Sequence, residues 1–186
     1  PSNNRMVALA GITTPYNIAS ISIRNCYNTG AISAKSTGYN SSYCSKAYAA
    51  GISYHGTIAN CYNTGAVSTS VQNTYGGTYS AGVGGVATNC YNVGKVTGSS
   101  GKNAIASAQG SGCYYLTGTG NSNTGSTALT EAQMKIQSVY VSFDFENTWV
   151  LDPGAVYPYP QLQNNVQDLR IITSAKISAM PDKTVY

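Results

Sequence analysis

The chain has 186 residues, 42% of them hydrophobic and 9% charged, whereas an average soluble domain is about 25% charged. Sixteen tyrosines argue against a disordered chain, and no apolar run approaches the roughly 18 residues that a membrane-spanning helix needs. All six acidic residues follow residue 130, so the charged side chains of residues 1–130 are all positive. Two kinds of sequence therefore join near residue 120.

A hexapeptide repeats along the first part of the chain. It reads NCYNTG at 25–30 and at 60–65, and NCYNVG at 89–94. The apolar runs around it are too short for helices and are separated by Gly and Asn turns. Such a unit cannot bury its apolar side alone, so repeats of about 20 to 45 residues predict an all-β solenoid of stacked parallel coils. Cysteines in constant phase mark about four coils: Cys26, Cys61, Cys90 and Cys113.

The hexapeptide is predicted to form one corner of each coil. Because strand side chains alternate, its cysteines should point inward as a stack of buried, reduced thiols. Its tyrosines should then form a partly exposed ridge, which either stabilises the strands or contacts a ligand. The final Gly is expected to take a positive φ in a turn. We expect a ladder of side-chain amides from the asparagine before each of the first three cysteines: Asn25, Asn60 and Asn89.

The remaining cysteine and the histidine are not expected to bind a metal ion. Single cysteines one coil apart lack the paired spacing of a zinc site, and His55 is the only histidine. His55 is interpreted as a turn or surface residue. Cys44 lies in an insert between repeats, so it should be the most exposed cysteine, and its oxidation state stays open.

Tyrosine is concentrated in two inserts, within residues 39–54 and 73–79. Tyrosine offers a flat, amphipathic contact surface that loses little entropy on binding. We therefore predict that these tyrosines contact a ligand: Tyr39, Tyr43, Tyr48, Tyr54, Tyr75 and Tyr79.

The stretch GISYHGTIANCYNTGAVS, at 51–68, resembles the GLUG-type repeats of bacterial surface proteins. The shared pattern is a Gly-aliphatic segment followed by a Cys-Tyr-Asn corner, and it covers residues 6–118. In the fourth unit the corner changes to GCYY, at 112–115. The resemblance implies a right-handed parallel β-helix on a cell surface or in a cell wall. It also implies Ig-like or anchoring modules beside it in the parent protein.

The sequence after residue 118 is predicted to form three further segments. Residues 119–130 are interpreted as a linker, 131–165 as a C-terminal cap, and 166–186 as an exit strand or the start of another module. Thr130 and Gln133 have the spacing of a capping box, which predicts a short helix to about residue 138. An alternating strand should follow over 141–151. Its large aromatic residues are expected to close the open end of the last coil: Phe143, Phe145 and Trp149.

These features favour a non-catalytic extracellular repeat module that serves as a stalk or as an adhesive element. Its expected ligands are glycans, cell-wall polymers or host and cell-surface proteins. No cofactor, nucleic acid or membrane insertion is expected, and the module should be a monomer. The alternative is a fragment of a β-helix polysaccharide lyase or hydrolase. Residues 1–130 have no Asp or Glu, so they cannot supply the paired carboxylates of such enzymes.

Overall fold

Short strands from successive repeats are the main regular secondary structure of the described residues. The computed structural model describes residues 6–13, 21–37, 46–72 and 77–166. The first repeat contains β1 (Met6–Ala10), β2 (Ser22–Arg24), β3 (Tyr27–Asn28) and β4 (Ile32–Ser36). The second contains β5 (Lys46–Ala50), β6 (Thr57–Ala59), β7 (Tyr62–Asn63) and β8 (Val67–Val71). The third contains β9 (Gly77–Ala81), β10 (Val86–Thr88), β11 (Tyr91–Asn92) and β12 (Val96–Thr97).

The fourth repeat and the C-terminal segment add fewer elements. The repeat contains β13 (Gly101–Asn103), β14 (Gln109–Ser111) and β15 (Cys113–Leu116). After it come β16 (Ser126–Leu129), the helix α1 (Glu131–Met134) and a 3-10 turn (Gln137–Val139). The last elements are β17 (Trp149–Val150), β18 (Gln161–Leu162) and a second 3-10 turn (Gln163–Asn165).

Equivalent strands of successive repeats pair in parallel and form four sheets. Sheet I has the order β1-β5-β9-β13, and sheet II has β2-β6-β10-β14. Sheet III has the order β3-β7-β11-β15-β16, and sheet IV has β4-β8-β12. The described chain is therefore mostly β and β-helix-like, which confirms the prediction of an all-β chain with parallel sheets.

The register places identical residues of the repeat beside one another. Tyr62 pairs with Tyr27 on one side and with Tyr91 on the other, and Tyr91 pairs with Tyr114. A buried core contains Ile23 and Ile58 of sheet II and three of the in-phase cysteines. It also contains three residues that each follow a strand of sheet I: Ile52, Val83 and Ile105. A smaller apolar core lies between sheets I and IV: Ala34, Ala47, Ala49, Val67 and Val96.

The asparagine that precedes each cysteine forms a turn and not a ladder, so that prediction is wrong. Asn25, Asn60 and Asn89 have φ values of 52°, 52° and 50°, in the left-handed region. Asparagine tolerates this region better than most residues with a side chain, because its short polar group can bond locally. In the fourth repeat Gly112 takes the same place with φ 58°. The final Gly of the hexapeptide does not have a positive φ, contrary to prediction.

The amide ladder comes instead from the asparagine two residues after each cysteine. The Asn28 Nδ2 donates to the Asn63 Oδ1 at 2.8 Å, and the Asn63 Nδ2 donates to the Asn92 Oδ1 at 2.8 Å. Each Nδ2 also donates to a carbonyl oxygen of its own turn, two residues later. Asn63 and Asn92 are fully buried, so these bonds satisfy amide groups that water cannot reach.

The C-terminal segment contains less strand than expected. The capping box is confirmed, since Thr130 and Gln133 bond to each other's backbone at the start of α1. The strand predicted over 141–151 is reduced to β17, because the Asp144 carboxylate accepts the backbone N–H groups of Glu146 and Asn147 and holds a turn. The segment interpreted as a linker contains β16, which pairs in parallel with β15.

The aromatic C-terminal residues cover the side of the repeats, and not their end as expected. Trp149 is fully buried, Phe143 is 7% exposed and Phe145 is half-buried, in one cluster with Tyr62, Tyr91 and Tyr114. The expected exposed tyrosine ridge is therefore wrong for these three tyrosines, which are between 0% and 7% exposed. A column of outward tyrosines is a large apolar strip, and burying it lowers the free energy of the folded chain. The predicted exit segment after residue 166 lies outside the described residues.

Candidate functional site

Three of the six tyrosines predicted to contact a ligand lie together on the surface. Tyr48 of β5 and Tyr79 of β9 are direct partners in sheet I, and both face outward. Tyr54 follows β5 and lies against Tyr48. We call Tyr48, Tyr54 and Tyr79 the outer tyrosine cluster. The other three tyrosines lie outside the residues that the structure describes: Tyr39, Tyr43 and Tyr75.

The outer tyrosine cluster is an ordered arrangement of rings. The centroids of Tyr48 and Tyr79 are 5.2 Å apart with an interplanar angle of 12°, so the two rings stack. Tyr54 meets Tyr48 edge to face at 4.8 Å and 68°. His55, the exposed histidine, meets Tyr54 edge to face at 5.1 Å. Strand pairing therefore fixes the stack, and the third ring supports it from the side.

Small residues lie on both sides of the stacked pair. Tyr48 pairs with Ala8 in the previous repeat, and Tyr79 pairs with Gly101 in the next repeat. A Cβ atom placed on Gly101 would be 3.2 Å from the Tyr79 Cδ1, so glycine leaves this side of the Tyr79 ring without a neighbouring side chain in sheet I. Because neither neighbour carries an aromatic ring, the stack contains two rings among the residues that the structure describes. Tyr79 keeps 39% of its surface exposed.

The charge around this surface is positive. Lys46 is exposed and precedes Tyr48 by two residues in β5, so the two side chains share the outer face of sheet I. The described cations of residues 1–130 are all exposed: Arg24, Lys35, Lys46, Lys95 and Lys102. Across the described ranges the one ion pair joins Lys135 to Glu131, at 2.9 Å. Burial and the neighbouring Tyr48 and Tyr79 raise the pKa of Tyr54, so its hydroxyl stays protonated and can donate.

The four in-phase cysteines form a separate column in the core. Cys61, Cys90 and Cys113 are buried and Cys26 is half-buried, and all four are free thiols. The Cys26 backbone N–H donates to the Cys61 Sγ at 3.3 Å, and the Cys61 N–H donates to the Cys90 Sγ at 3.4 Å. Burial is the main cause that raises the pKa of the Cys90 thiol. Cys44 lies outside the described residues.

The arrangement contains no recognisable catalytic or metal centre among the described residues. No group of three or more His, Cys, Asp or Glu side chains in this part of the chain could hold a metal ion. Every carboxylate side chain of the protein lies at or beyond residue 131, whereas His55 lies beside the outer tyrosine cluster. What this surface can offer a ligand is aromatic contact, hydroxyl hydrogen bonds and positive charge.

The sequence did not predict that the tyrosines of the hexapeptide pack against the C-terminal segment. Tyr27, Tyr62 and Tyr91, which we call the covered tyrosine column, stack at 5.1 Å and 5.0 Å. The Tyr91 hydroxyl donates to the Pro160 carbonyl at 2.6 Å and lies 2.6 Å from the Tyr157 hydroxyl. The signal for this contact is the aromatic content of the C-terminal segment, which needs an apolar surface to cover.

Comparisons with known proteins add no identification. No family model, no curated protein and no solved structure matches the chain. Among the described residues, no helix has the length and apolar character needed to span a bilayer.

Proposed function

We propose that this chain is a non-catalytic extracellular repeat module of a bacterial surface protein, a right-handed parallel β-helix that binds a glycan or a cell-wall or host polymer. The stiff stack of parallel sheets suits a stalk, since each coil is fixed to the next by backbone hydrogen bonds. The resemblance to GLUG-type repeats supports the cell-surface or cell-wall location. The outer tyrosine cluster distinguishes an adhesive module from a plain spacer.

The observation that carries this proposal is the Tyr48–Tyr79 stack on the outer face of sheet I, in which Tyr48 is half-buried and Tyr79 is exposed. Aromatic rings bind apolar faces of a ligand, and tyrosine hydroxyls bond to its polar groups. Because backbone pairing already holds Tyr48 and Tyr79 in register, binding costs little extra ordering of the protein. Sugars present both an apolar C–H face and hydroxyl groups, so a glycan fits this chemistry.

Lys46 favours an acidic glycan or polymer over a neutral one. Its ammonium group shares the outer face of sheet I with Tyr48, and residues 1–130 contain no carboxylate side chain that could pair with it. Exposed charges separated by more than about 8–10 Å are largely screened at physiological salt. We therefore assign the charge preference to Lys46 beside the cluster and not to the scattered cations.

A glycan array followed by titration calorimetry tests the adhesive function. Tyr79→Ala should weaken binding to the best ligand at least about tenfold, because it removes an exposed aromatic contact. Tyr79→Phe, which keeps the ring, should lose less. Val141→Ser is the matched control, since Val141 is 88% exposed and lies in the C-terminal segment.

Two outcomes would contradict parts of the proposal. If the protein binds no glycan, or if Tyr79→Ala and Val141→Ser bind equally well, the cluster is not a binding surface and only the stalk function remains. If the protein shortens acidic polysaccharides in solution, as followed by size-exclusion chromatography, it is an enzyme, and the non-catalytic assignment is wrong.

A further inference from the structure

The end of the molecule formed by the first repeat resembles an interior layer. The strands β1, β2, β3 and β4 are each the last in their sheet, so one edge of each has no partner strand among the described residues. Leu9 and Ile12 are 42% and 48% exposed, whereas the equivalent Ala49 and Ile52 of the second repeat are fully buried. Apolar residues of β1 and of the turn after it therefore face outward at this end.

Gly30 provides a second observation. A Cβ atom on Gly65 would collide with the Gly30 carbonyl oxygen, and one on Gly94 would collide with the Gly65 carbonyl oxygen. Glycine is thus needed at these positions because the preceding repeat approaches closely, and not because of a left-handed φ. At Gly30 a Cβ atom would meet nothing nearer than the Asn28 Oδ1 at 3.5 Å. Gly30 could therefore carry a side chain without a collision among the described residues.

Two sets of hydrogen bonds between repeats, the amide ladder and the cysteine N–H···Sγ bonds, point in one direction, which is the third observation. Asn28 and Asn63 each donate from the Nδ2 to the asparagine Oδ1 of the next repeat. The Cys26 and Cys61 N–H groups likewise donate to the cysteine Sγ of the next repeat. The Asn92 Oδ1 accepts from both Asn63 and the Gly94 N–H, whereas the described bonds give the Asn28 Oδ1 one donor, the Gly30 N–H. The first repeat therefore offers acceptors at the places where a preceding repeat would donate.

We propose that this end is a docking surface for one more coil of the same NCYNxG type, running in the same direction. The Gly carbonyl of such a coil would lie beside Gly30. The Nδ2 of its ladder asparagine would donate to the Asn28 Oδ1, and the backbone N–H of its cysteine would donate to the Cys26 Sγ. A second copy of the chain fits less well, because a two-fold contact between identical ends would make the strands antiparallel. The fourth-repeat end of a second copy cannot dock on the first repeat through sheet III. There β16 already pairs with β15, and the Cys113 N–H already donates to the Gly125 carbonyl.

A duplicated coil tests this proposal. Residues 46–76, the second coil and its connection, would be inserted once more directly before Met6 in the full chain. Gly30→Ala would then be made in both the original and the extended protein. In the original protein the position is open, so Gly30→Ala should leave the melting temperature unchanged or raise it slightly. In the extended protein the same change should lower it by at least about 4 °C.

Two further variants keep the test interpretable. Gly65→Ala should lower the melting temperature in both proteins, since its collision with Gly30 is present in each. Val141→Ala, at a side chain that is 88% exposed, should change neither. The proposal is overturned if Gly30→Ala behaves identically in both proteins, or if the added coil brings no increase in β signal by circular dichroism. A concentration-dependent dimer of the original protein that the added coil does not abolish would show that a second copy is the occupant, and would also overturn it.

Discussion

The covered tyrosine column and the outer tyrosine cluster are built by the same rule but have different surroundings. Tyr62 and Tyr91 stack at 5.0 Å and 5°, and Tyr48 and Tyr79 stack at 5.2 Å and 12°. Strand spacing sets both distances, because partner residues in a parallel sheet lie about 4.8 Å apart. Yet Tyr62 and Tyr91 are 1% and 0% exposed, whereas Tyr79 is 39% exposed.

The difference lies in what covers the rings. The C-terminal segment places Trp149, Tyr157 and Pro160 over the covered tyrosine column. Within residues 6–13, 21–37, 46–72 and 77–166 no comparable segment covers the outer tyrosine cluster, and the strand partners on its two sides are Ala8 and Gly101. Stacking alone therefore does not decide the role of a tyrosine in this fold. Covered rings are expected to carry stability, and exposed rings remain available to a ligand.

Removing the Trp149 side chain, which packs on the covered tyrosine column, should have the largest effect on stability. Trp149 is fully buried, stacks on Phe143 at 4.5 Å and contacts both Tyr62 and Tyr91. Trp149→Ala should lower the free energy of unfolding by about 3–5 kcal/mol, from lost burial and the cavity left behind. Urea unfolding followed by circular dichroism measures this loss. Val141→Ala is the control and should stay within about 0.5 kcal/mol of the original protein. An equal effect of both changes would mean that the C-terminal segment does not pack on the column.

Alkaline pH should also weaken the covered side of the molecule. Burial is the main cause that raises the pKa of Tyr62 and Tyr140, and neighbouring tyrosines add to it. Below the ordinary pKa of about 10 these tyrosines are protonated in both states, and their contribution to stability is complete. Above it the unfolded chain releases protons that the folded chain retains. Stability should therefore fall by about 1.4 kcal/mol per pH unit for each such tyrosine, until the folded pKa is reached.

Urea unfolding at pH 8, 10 and 11 measures this fall. Tyr62→Phe removes one of the ionising groups, so its stability should decrease less steeply above pH 10 than that of the original protein. A stability that is constant from pH 9 to 11 would contradict the burial of these hydroxyl groups.

Repetition in the sequence predicts the parallel sheets because identical hexapeptides can only stack in register. It does not say which of two repeated asparagines forms the ladder, since Asn25 and Asn28 recur with the same period. The fourth repeat contains the missing signal. Gly112 replaces the first asparagine and Tyr115 replaces the second. A position that accepts either Asn or Gly indicates a left-handed φ, and Gly112 has φ 58°.

The placement of the C-terminal segment could not be predicted from local patterns. The alternation of apolar and polar residues over 141–151 indicates a strand. However, the Asp144 carboxylate accepts hydrogen bonds from the backbone N–H groups of Glu146 and Asn147, which forms a turn. Whether an outward tyrosine is buried depends on residues far along the chain, such as Pro160 for Tyr91. Such contacts follow from the packing of the whole molecule, which no short pattern contains.

Loss of a single hydroxyl group should distinguish the two sets of tyrosines. Tyr91→Phe leaves the buried Pro160 carbonyl without its donor and should cost about 1–2 kcal/mol of unfolding free energy. Tyr79→Phe, at a ring that is 39% exposed, should cost less than about 0.5 kcal/mol. Both changes keep the aromatic ring, so differential scanning calorimetry compares the hydroxyl groups alone. If Tyr79→Phe were the more destabilising change, the assignment of stability to the covered column would be wrong.

Adding a ring to the outer cluster should have the smallest effect on stability and a large effect on binding. Gly101 is the direct partner of Tyr79, and its φ is not in the left-handed region. A Cβ atom there would lie 3.2 Å from the Tyr79 Cδ1, so the Tyr79 ring must shift by a few tenths of an ångström. In Gly101→Tyr the new ring can stack on Tyr79, and an aromatic pair contributes about 0.5–1.5 kcal/mol.

The strain at Cβ opposes this gain, so the unfolding free energy should change by less than about 1 kcal/mol. The ring face that Tyr79 presents toward Gly101 would, however, no longer be open to a ligand. Gly101→Tyr should therefore abolish glycan binding while the circular dichroism spectrum and the melting temperature stay nearly constant. Gly101→Ser, which adds a small side chain at the same place, is the control and should keep most of the binding. Undiminished binding by Gly101→Tyr would mean that a ligand uses the ring edges and hydroxyl groups of the cluster and not its open face.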